Sequence, residues 1–159
     1  MCGRYLEKEG LERRMDDRLE RFRAPQKQDY QTALQEIRAG RKKSHWMWYI
    51  FPQIQGLGSS GMAQYYAIAD LDEAKEYLAD AMLGKNLMEI SQALLEVNSD
   101  DALAVMGWPD NLKLKSSMTL FQAANPKCEI FGKVLEKFYG GKQDEKTIEI
   151  LKGLETKTV

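Results

Sequence analysis

Residues 80–98, DAMLGKNLMEISQALLEVN, set Leu83, Leu87, Ile90, Leu94 and Val97 at steps of three and four. Such steps return to one side of a helix at every turn, so a single stripe is apolar while the remaining positions face water. It is the longest clean stripe in the chain, and Asn98 and Ser99 break it. The same grammar runs outward in both directions. Upstream, Tyr30, Ala33, Leu34 and Ile37 form a stripe within 26–39 that Gly40 stops. Before it, a short helix from Asp16 through Arg23 is expected to end ahead of Pro25, because the residue before a proline is pushed out of the α region. Asp70 or Asp72 caps a helix carrying Ala74, Tyr77 and Leu78.

Downstream, Asp100 to Met106 reads as a short helix, and Leu114, Met118 and Phe121 support another that ends before Pro126. Ile130, Val134, Leu135 and Phe138 form a stripe stopped by Gly140 and Gly141. Ile148, Ile150 and Leu151 fit a last helix capped by Asp144. The reading is an all-α, single multihelical globular domain over 15–153, with 1–14 a disordered or upstream extension and 154–159 a tail. At least six helices are predicted, with no sheet beyond two or three short strands. Leu87, Ile90, Leu94, Met118, Phe121, Val134 and Phe138 are predicted to share one core.

Composition narrows the function classes. Lys and Arg number 23 against 24 Asp and Glu in 159 residues, so no global field draws the chain to nucleic acid, which is not expected as a partner. No apolar run reaches the ~18 residues of a membrane span and no signal peptide opens the chain, so a cytoplasmic address is expected. Cys2 and Cys128 fit no metal spacing, and a single histidine excludes HExxH and zinc-ligand sets. Neither a metal nor a cofactor is expected.

One segment departs from plain core building. Residues 41–60, RKKSHWMWYIFPQIQGLGSS, join three consecutive cations, the only histidine, two of the three tryptophans and a glycine-rich exit. Read as a strand, Trp46, Trp48 and Ile50 oppose His45, Met47, Tyr49 and Phe51; read as a helix, His45, Trp48, Tyr49 and Pro52 cluster. Trp46, Met47, Ile50 and Phe51 suit a core, and Arg41, Lys42 and Lys43 suit a solvated helix end. Cations beside an aromatic platform are also the generic grip for a nucleotide, phosphate held by charge and base stacked. A second segment, Leu112 to Phe121 (LKLKSSMTLF), sets Lys113 and Lys115 ahead of Ser116 and Ser117 at an expected helix start, where amides, hydroxyls and an ammonium converge on an anion. The glycines of QGLGSSG fail the GxGxxG register.

The blocks RKKSHWMWYIFPQIQGLGSSGMAQYYAI, LDEAKEYLADAMLGKNLME, LKLKSSMTLF and FGKVLEKFYGGKQDEKTIEIL resemble, in order, those of domain-of-unknown-function family 1810, over about Phe22 to Leu151. The resemblance implies a multihelical fold and no defined activity. The label calpastatin-like, sometimes given to that family, does not suit a chain that is not a disordered, proline-rich inhibitor. A remoter likeness, over about half the chain, is to the NADAR (YbiA-like) N-glycosidases, which act on ADP-ribose-type linkages. It implies a ribosylated, phosphate-bearing ligand; where those proteins have a glutamate before the histidine, this chain has Ser44.

Two functions follow. In the first, Arg41, Lys42 and Lys115 neutralise phosphate, Trp46 or Trp48 stacks a base, and Ser44, His45 and Gln53 supply directional hydrogen bonds. N-glycosidic cleavage would then use His45 as the acid and Asp110 as the carboxylate. His45, Gln53, Lys115 and Ser117 should converge on one pocket. In the second, the aromatics are core and the chain is a non-enzymatic protein or nucleic-acid interaction module.

Overall fold

The computed structural model describes residues 17–157. The expected extension at 1–14 and Asp16, the expected cap of the first helix, lie outside them. Nine helices and no strand occur among the described residues: α1 (Glu20–Arg38), α2 (Met47–Ile50), α3 (Gly61–Tyr65), α4 (Leu71–Ala79), α5 (Ala81–Glu96), α6 (Ala102–Met106), α7 (Asp110–Ala124), α8 (Ile130–Tyr139) and α9 (Glu145–Lys157). An isolated parallel bridge pairs Ile54 with Ile68. The last helix continues through 154–157, which the sequence reads as tail.

Helix α5 is the quoted stripe. Leu83, Leu87, Ile90 and Leu94 are all buried, each worth roughly 1.5–3 kcal/mol of transfer free energy. Asp80 caps its start by accepting from the amides of Met82 and Leu83 at 3.1 and 2.9 Å. Its end is capped by a side chain distant in sequence: Lys137 Nζ donates to the carbonyls of Leu94, Leu95 and Val97 at 2.9, 3.0 and 2.6 Å. Asp70, not Asp72, caps α4 through the Glu73 amide, and Asp144 caps α9 through the Thr147 amide.

Helix α5 packs on α1, α4 and α8, and α7 on α4, α6, α8 and α9. Because α7 touches neighbours on most sides, Leu114, Met118, Leu120 and Phe121 are buried together with Ser116, Ser117 and Thr119. A helix covered this way loses its apolar stripe, which is why only part of it is visible in the sequence. Of the seven residues predicted to share a core, six are fully buried and Phe138 is half-buried against the same cluster.

One local expectation needs correction. Helix α1 runs unbroken through Pro25 where two helices were expected. Proline gives up its bond to the Arg21 carbonyl, but tertiary anchors flank it. Phe22 is buried on one side, and on the other the buried Gln26 donates to the Tyr49 carbonyl at 2.7 Å and the Tyr77 hydroxyl at 2.9 Å. Of the two readings of 45–51, the helical one holds, as a single turn with Met47, Tyr49 and Ile50 buried.

Candidate functional site: a cleft between α2, α7 and α9

Below the three-cation run, the last turn of α1 presents Glu36. Its carboxylate accepts from the amides of Lys43 and Ser44 at 2.8 and 3.0 Å, from the Ser44 hydroxyl at 2.5 Å and from Trp46 Nε1 at 2.9 Å. Burial pushes the carboxyl upward, but these four donors outweigh it and hold it at about 2. Glu36 thereby fixes the turn that delivers α2, a role that its place on the polar side of α1 does not announce in the sequence.

The turn commits several of the expected ligand groups. Trp46 is 1% exposed and spends its indole N–H on Glu36, so no ring face is left for a base. The Ser44 hydroxyl is spent on the same carboxylate. Lys42 Nζ donates to the Ser44 carbonyl at 2.5 Å, ion-pairs with Asp110 at 2.8 Å and lies 4.8 Å from the Trp46 ring centre. Arg41 and His45 are exposed. The His45 imidazole makes no hydrogen bond among the described residues.

Trp48 takes the opposite direction. It is half-buried and lines a cleft of about 720 Å³ whose floor is Met47, Phe51 and Ile54. Gln53 lines it beside Ile54, its main chain held where the Gln53 carbonyl accepts from the Ile68 amide at 2.8 Å. Gly58 lies in the far wall, where a Cβ would meet the Ala63 Cβ at 2.6 Å, so the glycine-rich exit builds the wall rather than a phosphate loop. Ile150 and Leu154 of α9 close one side. Among the described residues two cations, Lys113 from α7 and Lys146 from α9, line the cleft and no carboxylate does; Asp110, outside the lining, is 3.6 Å from Lys113 Nζ. Lys113 Nζ is 5.5 Å from the Trp48 ring centre.

A buried ion pair fixes the wall at Tyr66 and Ala67. Arg21 donates to the carbonyls of Tyr65 and Ala67 at 2.9 and 2.8 Å and to both oxygens of Glu73 at 2.9 and 3.1 Å. Glu73, 1% exposed, also accepts from the Ala69 amide at 2.7 Å, so few of its lone pairs are unanswered. Burial pushes the Tyr66 phenol above its usual range, and it stays neutral at physiological pH.

The two sequence blocks therefore meet, through Trp48, Gln53 and Lys113. His45, Lys115 and Ser117 do not line the cleft. Residues two apart on a helix point to nearly opposite sides, so Lys113 reaches the cleft while Lys115 turns toward Tyr139, 5.9 Å from its ring centre. Helix α7 begins at Asp110, which puts Ser116 and Ser117 in its second turn instead of at an anion-binding start. Ser116 Oγ donates to the Leu112 carbonyl at 3.3 Å, and Ser117 is wholly buried with no hydrogen-bond partner for its hydroxyl among the described residues. Lys146, Gln64 and Tyr66 escaped sequence reasoning. Lys146, in the first turn of α9, had a readable signal only in its closeness to the Asp144 cap.

A family model described as a protein of unknown function, DUF1810, matches residues 16–151. The chain belongs to the DUF1810 family. The crystal structure of the conserved hypothetical protein Rv1873 from Mycobacterium tuberculosis is similar to this DUF1810 member at 44% identity with a TM-score of 0.82, covering 84% of this chain and 95% of that one. No curated protein matches the chain. Among the described residues no group of three or more His, Cys, Asp or Glu side chains is placed to hold a metal, and no helix is long and apolar enough to cross a membrane.

Proposed function

We propose that this DUF1810 member binds a small phosphate-bearing ring compound of the nucleotide or ADP-ribose type in the cleft between α2, α7 and α9. The observation that carries the reading is the pairing of Trp48 and Lys113, a ring and an ammonium on the wall of a cleft lined by a second lysine and, among the described residues, by no carboxylate. Among the described lining residues a phosphate finds two cations and no like charge, and a base finds an apolar floor and aromatic edges. The amides of Gln53 and Gln64 can read donor and acceptor patterns on that base. Cleavage of an N-glycosidic bond needs a carboxylate or an oriented water, and an acid for the leaving group. Among the described residues the cleft lining supplies neither a carboxylate nor an imidazole, so the reading proposed is of binding.

A thermal-shift and calorimetric series with AMP, ADP-ribose, adenosine and inorganic phosphate tests it. AMP and ADP-ribose should stabilise the chain, by about 2.7 kcal/mol at a hundred times the dissociation constant, and more than adenosine or phosphate alone. The absence of a shift with every phosphate-bearing compound would overturn the reading.

A further inference from the structure

Lys113 has a neighbouring carboxylate, yet that carboxylate is already engaged. Asp110 Oδ2 is 2.8 Å from Lys42 Nζ, whereas Asp110 Oδ1 is 3.6 Å from Lys113 Nζ. Lys42 is also the more buried of the two cations, its side chain 7% exposed against 26% for Lys113. It is held at both ends: its amide donates to the Val105 carbonyl at 2.7 Å and its ammonium to the Ser44 carbonyl. Attraction between unit charges rises as separation and local dielectric fall, so Asp110 gains more from Lys42 than from Lys113.

We propose that Lys42 is a positioning residue for the cleft: by holding Asp110 at 2.8 Å it keeps that carboxylate at the longer distance of 3.6 Å from the Lys113 ammonium beside Trp48, so that Lys113 is only partly compensated and forms with Lys146 a subsite for a dianionic phosphate monoester. The proposal rests on the reading of the cleft as a phosphate-ligand site. The Asp110 charge is answered mainly by Lys42 and only at longer range by Lys113, and among the described residues no acidic side chain lines the cleft. Without Lys42 the nearest partner for Asp110 is Lys113, already within ion-pair distance, and the subsite would lose one charge.

The two halves of the ion pair are thereby assigned opposite effects, which a purely structural pair would not have. AMP and adenosine are the probes, titrated calorimetrically into the wild type and into Lys113→Ala, Lys42→Met, Lys42→Arg and Asp110→Asn. Lys113→Ala should weaken AMP by roughly tenfold or more, the loss of a charge-assisted contact, and leave adenosine unaffected. Lys42→Met should weaken AMP by about threefold, within the range of exposed ion pairs, again sparing adenosine. Lys42→Arg should keep wild-type affinity, and Asp110→Asn should tighten AMP. If AMP does not bind the wild type, or Lys113→Ala does not weaken it, the cleft reading itself falls. If those hold but Lys42→Met and Asp110→Asn both weaken AMP, or neither alters it, the cleft reading stands and the role of Lys42 is overturned. Should Lys42→Met fail to fold, Asp110→Asn decides alone, since unchanged or weaker AMP binding refutes the proposal.

Discussion

The Lys113 ammonium lies 5.5 Å from the centre of the Trp48 ring, which joins a turn of α7 to a turn of α2 across the cleft. If this pairing grips a ligand, the two residues contribute differently. Trp48→Ala removes the ring and should weaken AMP and adenosine alike, by about 1–3 kcal/mol if a base stacks there. Lys113→Ala should weaken AMP alone. His45→Ala, at an exposed position outside the cleft lining, should leave both affinities unchanged. Indole fluorescence quenched by AMP in the wild type and unquenched in Trp48→Ala would support the assignment; equal quenching in both would count against it.

How much of this was legible in the sequence follows from what makes each feature local. The stripe from Leu83 to Leu94 is a property of one helix with one covered face and is readable in the sequence, whereas Val97, read as its last member, is the C-cap residue at the helix end. The segment of helix α1 reads in the sequence as two helices because the cost of Pro25 is local whereas the anchors of Phe22 and Gln26 are tertiary. The site was legible as two blocks, but not which members of them would meet. That choice depends on α7 starting at Asp110, which turns Lys113 inward and Lys115 away, and on Glu36 consuming Ser44 and Trp46. Lys146 reaches the cleft only because α9 packs on α7, a contact with no trace in local pattern.

Glu36 makes stability depend on acid pH. Its carboxyl ordinarily titrates near 4.5 and is held at about 2 in the folded chain, so its contribution is complete above pH 4.5 and is lost as pH falls toward 2. Urea denaturation should find Glu36→Gln less stable than the wild type by on the order of 2 kcal/mol at pH 7. The gap should narrow steadily between pH 4.5 and 2.5. A gap of the same size at pH 7 and pH 2.5 would mean that the four donors do not favour the ionised form.

Lys137 caps α5 from another helix and offers three protons to three carbonyls. Burial pushes its pKa down, with Asp100 opposing, and the carbonyls replace the water that the ammonium loses. Lys137→Met keeps most of the aliphatic stem and removes the donors. It should cost about 1–3 kcal/mol and raise hydrogen-exchange rates first at the end of α5. Uniform exchange along α5 would show that the cap is dispensable.

Glycine to alanine should have opposite signs at two helical positions. At Gly84 in α5, a Cβ would lie 2.1 Å from the Leu78 carbonyl oxygen and 2.9 Å from its carbon. Both are backbone atoms of the last turn of α4, joined to α5 through the Asp80 cap, so neither helix can retreat without pulling on that cap. Alanine is favoured over glycine in a helix by roughly 1 kcal/mol, but overpacking against fixed backbone costs about 1–3 kcal/mol and should win. At Gly153 in α9, a Cβ meets nothing within 4 Å among the described residues, so the helix-propensity gain should dominate. Thermal denaturation should therefore give a lower midpoint for Gly84→Ala and a higher one for Gly153→Ala. A stabilised Gly84→Ala would mean that the approach of α4 to α5 is looser than a 2.1 Å contact allows.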